Sequence, residues 1–477
     1  MGQINDMPLG PGLLHMPPGL GENAPGTILP IGPLMRRLAE RLDADGILWA
    51  VLRQADGLPE HTRYDVDLLV RPRDRDAAIR ILTECGAETG WRIAGRIHKA
   101  FYECLLLVRG SADGDGVFFP IDLFTALEHR GLRYLDVEEA LRGRVRLANG
   151  FWTLPPGMQA AVTLLKELLP HAKLKENSRA PVQRQAAADP EGFRQALESA
   201  AGPDEAARLV ETVRQGAWTW SKVEEDRLRA AIRRRSPGWR LGLLRSAWAN
   251  CRHLLRPAAG RVICLAGADG SGKTTLARGL FAHLYKQPFK ACRYLHGNAV
   301  VLPRFRDLRA GLRRLVGRPG PTAVAESFDP PLKGMMVPVA AWKSIALAFY
   351  YAVDWMLARP LLRRWRGQWT LVILDRSFYD FYFQLGHRRC PRGVLNLLSH
   401  LVPKPDLLLC IEGDPPQIHA RKPELTVEEI RIEQEILREL ASRLPFACRL
   451  DASGGIEAMV ATARALVWKE LLGEGEP

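Results

Sequence analysis

Val262-Ile-Cys-Leu-Ala-Gly267-Ala268-Asp269-Gly270-Ser271-Gly272-Lys273-Thr274-Thr275 decides how the C-terminal half of this chain folds. An apolar run makes a strand, a glycine-rich bend follows, and Leu276-Ala-Arg-Gly-Leu280 continues at helical spacing. The bend satisfies G-x-x-x-x-G-K-[ST] in the strand, loop, helix context that this motif requires. Glycines let successive backbone N–H groups turn inward onto phosphate oxygens, and the helix N-terminus that follows favours an anion. Residues 267 to 275 are therefore expected to cradle ATP, with Lys273 on the β and γ phosphates and Thr274 on Mg²⁺.

Outward from this loop, apolar strands alternate with helix-length amphipathic segments: Tyr294 to His296, Leu371 to Leu374, Leu407 to Ile411 and Cys448 to Leu450. Such alternation implies a parallel sheet with helices on both faces. Leu371-Val-Ile-Leu374-Asp375-Arg376 delivers a carboxylate at a strand end, where it can stand beside a magnesium water shell. Arg376 then points across the strand ends, where open α/β sheets bind their ligands.

These segments, with Pro403-Lys-Pro-Asp406-Leu-Leu-Leu-Cys-Ile, Arg421-Lys-Pro-Glu-Leu, Arg431-Ile-Glu-Gln-Glu435 and Leu450-Asp451-Ala452-Ser453, resemble the thymidylate kinase family over about residues 259 to 473. The resemblance implies an α/β P-loop NTPase domain with a five-stranded parallel sheet of order 2-3-1-4-5. It implies ATP and Mg²⁺ as cofactors and phosphoryl transfer onto a monophosphate. By the same resemblance Asp269 accepts from a sugar hydroxyl, Arg376 holds the acceptor phosphate, Arg421 and Arg431 sit on a lid, and Asp451, Ala452 and Ser453 lie near the adenine. Gly270 stands where some members carry Arg, so the transition-state arginine is expected from the lid.

The acceptor side departs from the family. Its Thr-Arg-Glu-Pro-Gly-Gly grip is replaced by Tyr294-Leu-His-Gly-Asn-Ala-Val-Val-Leu-Pro-Arg304. Beyond Arg376 the chain offers Ser377-Phe-Tyr-Asp-Phe-Tyr-Phe-Gln-Leu-Gly-His387-Arg388-Arg389 in place of small polar residues. Arg304, Arg376 and Arg388 are expected to bind an anionic or sugar-containing acceptor with aromatic rings stacking beside it, and dTMP is expected to be a poor substrate.

Residues 34 to 180 mix helical periodicity (Leu34, Leu38, Leu42) with short apolar runs, an α+β pattern. Tyr64-Asp65-Val66-Asp67-Leu68 places two carboxylates at i and i+2, hence on one face of a strand. Asp122, in Phe118-Phe-Pro-Ile-Asp122-Leu-Phe124, belongs on a neighbouring strand. Three converging carboxylates can hold two magnesium ions for in-line phosphoryl chemistry. The arrangement resembles the nucleotidyltransferase superfamily from about Leu48 to Arg133, with Leu52-Arg53-Gln54 where that superfamily carries Gly-Ser. The other reading of the three acids is a solvated strand face. Lys166, Lys173 and Lys175 are either anion ligands there or ordinary solvated lysines.

Residues 181 to 258 are polar, helical and punctuated by proline, and are expected to be a basic connector between the domain of residues 34–180 and that of residues 259–477. Between Arg227 and Arg256 there are nine arginines and no acid, with Leu241, Leu244, Trp248, Cys251 and Leu255 at helical spacing. Such a helix either lies on anionic lipid or nucleic acid, or buries its Leu/Trp stripe between domains. The first 33 residues hold seven Pro and seven Gly and are expected to be a disordered leader, without the features of a signal peptide. Val337 to Ala358 is apolar but interrupted by Lys343 and Asp354, and is expected to be a buried helix.

The chain has 477 residues, with 67 Lys plus Arg against 53 Asp plus Glu and a net charge of +14, which favours anionic partners. Eight cysteines without a C-x-x-C pair argue against zinc or a disulfide framework and for a reducing, cytoplasmic setting. Three functional classes follow: an ATP-dependent phosphotransferase, a nucleotide-gated binding protein, or a nucleotidyltransferase with an accessory kinase domain. Expected partners are a nucleotide, an anionic or glycosidic small molecule, a second copy of the chain, and an anionic membrane for residues 227–256.

Overall fold

The computed structural model describes residues 13–14, 31–53, 55–60, 65–110, 116–252, 260–285, 288–295, 301–302 and 338–473. They fall into two compact units, residues 31–252 and residues 260–473, the second joined by Leu13–Leu14.

The first unit is built on a mixed sheet in the order Arg92–His98, Tyr102–Gly110, Gly116–Phe124, Val66–Val70, Trp49–Val51, Trp152–Thr153 and Val145–Arg146. Successive strand residues face opposite ways. Val66, Leu68 and Val70 share an apolar cluster with Leu34, Leu38 and Leu42 of helix Gly32–Ala44 and with Ile79 and Leu82 of helix Arg75–Glu88. Leu69 and Phe124 join the cluster on the other side, beneath helix Pro156–His171. Asp65 and Asp67 share the parity of Leu69, so their carboxylates stand on the side of that helix.

The stretch set apart above as a connector is part of this unit. It folds into helices Glu176–Ala188, Pro190–Ala201, Pro203–Gln215, Lys222–Arg235 and Trp239–Arg252. Val182, Phe193, Leu197, Leu209, Val213, Leu228 and Ile232 are buried in the same cluster as Leu69. The helical expectation agrees with the structure and the connector does not, because each polar helix hides a single apolar stripe. Pro190 and Pro203, which look like breaks, open helices at a position where a missing N–H costs nothing.

The second unit is a parallel sheet in the order Ala291–Leu295, Thr370–Leu374, Arg261–Ala266, Leu407–Glu412 and Ala447–Asp451. Leu13–Leu14 adds an antiparallel strand outside Ala291–Leu295, so at that point the leader is ordered. Ile31 is buried and helix Gly32–Ala44 begins directly after it, so the leader's final residues are structured too. Its remaining residues lie outside those described. The central strands are covered on both faces, which is why they read as continuous apolar runs. Helix Ala341–Gly367 is long and apolar enough to cross a membrane. Ala348, Ala352, Trp355, Ala358 and Leu362 bury one side of it in the sheet's core, while Trp342, Phe349 and Leu357 are exposed, so it is a buried helix on one side only. Asp354, which interrupts the apolar stretch, is buried and accepts the backbone N–H groups of Val301 and Leu302. All eight cysteines are free thiols.

Candidate active site

Parallel strands end at one edge of the sheet, and loop residues 269–272, Asp375 and Ala452 meet there around a cavity of about 660 Å³. The loop runs into helix Lys273–Leu284, whose first turn has no side-chain cap. Its orphan N–H groups at Lys273, Thr274 and Thr275 are the donors an anion needs. Lys273 Nζ donates to the carbonyls of Gly267 and Ala268 at 2.9 and 3.0 Å and to Asp269 Oδ1 at 3.3 Å. Gly270 has φ +90°, and a Cβ there would lie 3.1 Å from the Ile418 carbonyl and from Lys422 Cβ. A side chain at 270 would be strained by the positive φ and crowded by the segment packed against the loop.

Asp375, at the end of strand Thr370–Leu374, is buried. Its Oδ2 accepts from the Thr274 hydroxyl at 3.2 Å and from the Tyr294 hydroxyl, and those two hydroxyls lie 3.4 Å apart. Thr274 and Asp375 both line the cavity. An oxygen-only donor pair beside a phosphate cradle suits a hard divalent cation such as Mg²⁺. Burial, and then the hydrogen bond to Asp375, push the Tyr294 phenol up from its ordinary pKa, so it stays a donor. Tyr294 is the penultimate residue of strand Ala291–Leu295 and reads in sequence as core; only its place near the strand's C-terminal end marks it.

Asp269 lies at the centre of three cations. Arg376 donates to both of its oxygens at 3.0 and 2.9 Å, Lys422 reaches Oδ2 at 3.3 Å, and Lys273 reaches Oδ1. Burial alone would raise its pKa, but the Lys273, Arg376 and Lys422 charges overcome this and hold it well below the usual carboxylate range. Lys422 was hidden in sequence beside Arg421, which also lines the cavity.

Other expected residues lie elsewhere. Arg431 is 61 % exposed and pairs with Glu428 on the outer side of helix Val427–Arg443, away from the cavity lining. Ala452 lines the cavity together with Gly455, Ile456 and Met459, whereas Asp451 accepts from the backbone N–H and hydroxyl of Ser453 at the surface. Arg388 is exposed and outside the lining, and Arg304 falls outside the described residues. Of the aromatics after Arg376, Phe378, Tyr379, Phe381 and Phe383 are buried in the core, whereas Tyr382 is half-buried and, with Tyr379, lines a separate cavity away from the phosphate loop. Among them Asp380 is buried, with Oδ1 lacking a hydrogen-bond partner among the described residues. Burial pushes the pKa values of Asp380 and of nearby Glu433 up to about 7.

In the first unit Asp65, Asp67 and Asp122 come together, each offering an oxygen within 4.8 Å of the others. Asp67 and Asp122 are direct neighbours on parallel strands. Fully buried Asp67 is already engaged: its Oδ2 accepts from Arg53 at 2.5 Å and from Lys166 at 2.7 Å, and Arg53 also reaches Asp65 at 3.5 Å. Lys166 lies in addition 4.4 Å above the Phe124 ring. Both cations sit on Asp67 Oδ2, while its Oδ1 has no hydrogen-bond partner among the described residues, so two positive charges compete with any divalent cation for this triad.

No family model matches the sequence, and no curated protein matches it. Among solved structures, the thymidylate kinase of Ehrlichia chaffeensis is similar at 16 % identity and a TM-score of 0.28, covering 44 % of this chain and 98 % of its own. A thymidylate kinase of Candida albicans is similar at 19 % identity and a TM-score of 0.30, covering 44 % of this chain and 93 % of its own. At these scores the likeness adds nothing to the site's own geometry.

Proposed function

We propose that residues 260–473 form an ATP-dependent phosphotransferase of the nucleoside monophosphate kinase type, acting on an anionic or sugar-containing acceptor. The observation that carries this reading is the convergence of Lys273, Arg376 and Lys422 on Asp269 in the cavity that also holds Thr274 and Asp375. A nucleotide switch needs the loop, Lys273, Thr274 and Asp375. It has no use for a guanidinium at the next strand end and lid cations facing it, whereas an enzyme joining two anions does.

In this mechanism the loop N–H groups and Lys273 bind the β and γ phosphates, and Arg376 exchanges Asp269 for the acceptor anion as a planar fork. Thr274 and Asp375 would hold Mg²⁺, which when bound neutralises charge on the β and γ oxygens. Tyr294 and Thr274 fix the Asp375 carboxylate. Arg421 and Lys422 supply the lid charge that Gly270 cannot, and Ala452, Ile456 and Met459 give the adenine an apolar wall. Asp269, released from its cations, is placed to accept from a ring hydroxyl.

The test is ADP formation by the full chain with ATP, Mg²⁺ and a panel of nucleoside monophosphates, sugar phosphates and acidic sugars. Transfer to one of these, with dTMP turned over poorly, is the expected result. ATP binding without transfer to any member would replace this reading with a nucleotide-gated binding protein.

A further inference from the structure

The helix Trp239–Arg252 is laid on the first unit by its small side. Gly242 touches the chain at Gly131 so closely that a Cβ would lie 2.5 Å from the Gly131 Cα, and Ala249 is buried beside it on the same side. Arg245 reaches buried Glu128 at 3.4 Å, and Arg252 donates to His98 Nε2 at 3.4 Å. Both arginines therefore pin the helix down. The large apolar side chains face the other way: Leu241, Leu244 and Trp248 are 64 %, 65 % and 63 % exposed, and Leu243 is 43 % exposed. At about 100° per residue, the first three fall within an arc of about 60°. The stripe that a core helix would bury is turned outward, and soluble chains seldom present such a row.

Charge selects the occupant. Arg240 borders the stripe on one edge, and Arg233, Arg234 and Arg235 are exposed in the last turn of the preceding helix, while Arg245 and Arg252 on the other edge reach Glu128 and His98. No acid occurs between Arg227 and Arg256. A second copy docking through this stripe about a two-fold axis would set these arginines against themselves. Nucleic acid would engage the arginines through phosphate but would leave the Leu241, Leu244 and Trp248 row in water. A bilayer with anionic headgroups meets both requirements, taking Leu and Trp side chains into its interface and arginines among its phosphates. We infer that helix Trp239–Arg252 docks this chain on an anionic membrane surface.

Cys251, the one exposed cysteine of the eight, lies on the outward side and can carry an environment-sensitive fluorophore. The labelled full chain is mixed with vesicles of phosphatidylcholine alone or with about 30 % phosphatidylglycerol, at about 0.1 M and about 0.5 M salt. The expected result is a blue shift and co-sedimentation with the anionic vesicles, at least about tenfold weaker without anionic lipid or at high salt. Leu244→Glu with Trp248→Glu should weaken binding about tenfold or more with an unchanged melting curve, because neither side chain is buried. Absence of sedimentation with anionic vesicles overturns the inference, as does a double variant that binds like the parent. A fluorophore that responds to duplex DNA but not to vesicles, or a dimer that the double variant abolishes, also overturns it.

Discussion

Asp375, just past strand Thr370–Leu374, and Asp67, within strand Val66–Val70, are both buried carboxylates, yet their surroundings differ in kind. Asp375 is met by two hydroxyls, Thr274 and Tyr294. Asp67 is met by a guanidinium and an ammonium, Arg53 and Lys166. Hydroxyl donors hold a carboxylate in place and leave its charge for something else to use. Cations consume that charge. The difference teaches that a buried acid beside a strand is read by its partners: one unit holds a carboxylate by hydroxyls beside a phosphate cradle, and the other sets two cations against an acidic triad.

Breaking the first side should give the largest effect. Lys273→Ala is expected to lower phosphoryl transfer by about 10³ or more with the melting temperature unchanged, since the lysine acts as a charge on phosphates. Steady-state ADP formation and a thermal melt check this together. Arg421→Ala should slow turnover by a comparable factor, while exposed Arg431→Ala should leave it nearly untouched.

Breaking the second side should cost stability. Asp67→Ala strands Arg53 and Lys166 around a buried site and is expected to destabilise the first unit by about 3–5 kcal/mol, with ATP binding by the second unit unchanged. Denaturant unfolding followed alongside nucleotide binding separates the two.

Arg53→Ser sharpens the contrast. Removing the guanidinium frees Asp67 Oδ2 from one of its cations, and Mn²⁺ titrated in the absence of nucleotide should then bind more tightly than to the parent by about tenfold. Paramagnetic resonance of free Mn²⁺ reads this directly, and equal binding by variant and parent would show that the cations do not close the triad.

The smallest effect concerns the acids that have neither kind of partner in full. Asp380 and Glu433 have folded pKa values of about 7, above the ordinary carboxylate range. A raised folded pKa means that stability is full while both states are protonated and is lost as pH rises from about 4 through about 7. Asp380→Asn should therefore melt higher than the parent at pH 8, by about 1 kcal/mol or more in stability, and match it at pH 4. A parent melting curve that is flat across this range contradicts the assignment.

The phosphate loop was legible because its chemistry is local: glycine spacing, Lys273 and Thr274 occupy a single bend. Asp375 was legible because an apolar run ends in an acid. What sequence could not show was orientation. Arg431 looked like a lid cation, but Ile430, Glu433, Gln434 and Leu437 are the buried side of helix Val427–Arg443, and Arg431 is turned off that side. Lys422, one position beyond Arg421, reaches Asp269 instead. The aromatic run after Arg376 looked like a platform for rings beside the acceptor, but all of it except half-buried Tyr382 is core. Strand Arg92–His98 was missed because it is an edge strand with only Ile97 buried, so no apolar run marks it. In the basic helix the apolar stripe was visible in sequence, but its outward direction depends on Gly242 lying against Gly131, a contact between residues far apart in the chain.

The account is tested most directly by measuring ADP formation by the full chain carrying Asp375→Asn beside the full chain carrying Asp67→Asn, each at saturating ATP and Mg²⁺ with the best acceptor found. The expected result is a fall of about 10³ or more for Asp375→Asn and a rate within about threefold of the parent for Asp67→Asn. A parent-like rate for Asp375→Asn, or a loss of transfer in Asp67→Asn that retains its fold, would contradict the division of labour between the two carboxylates.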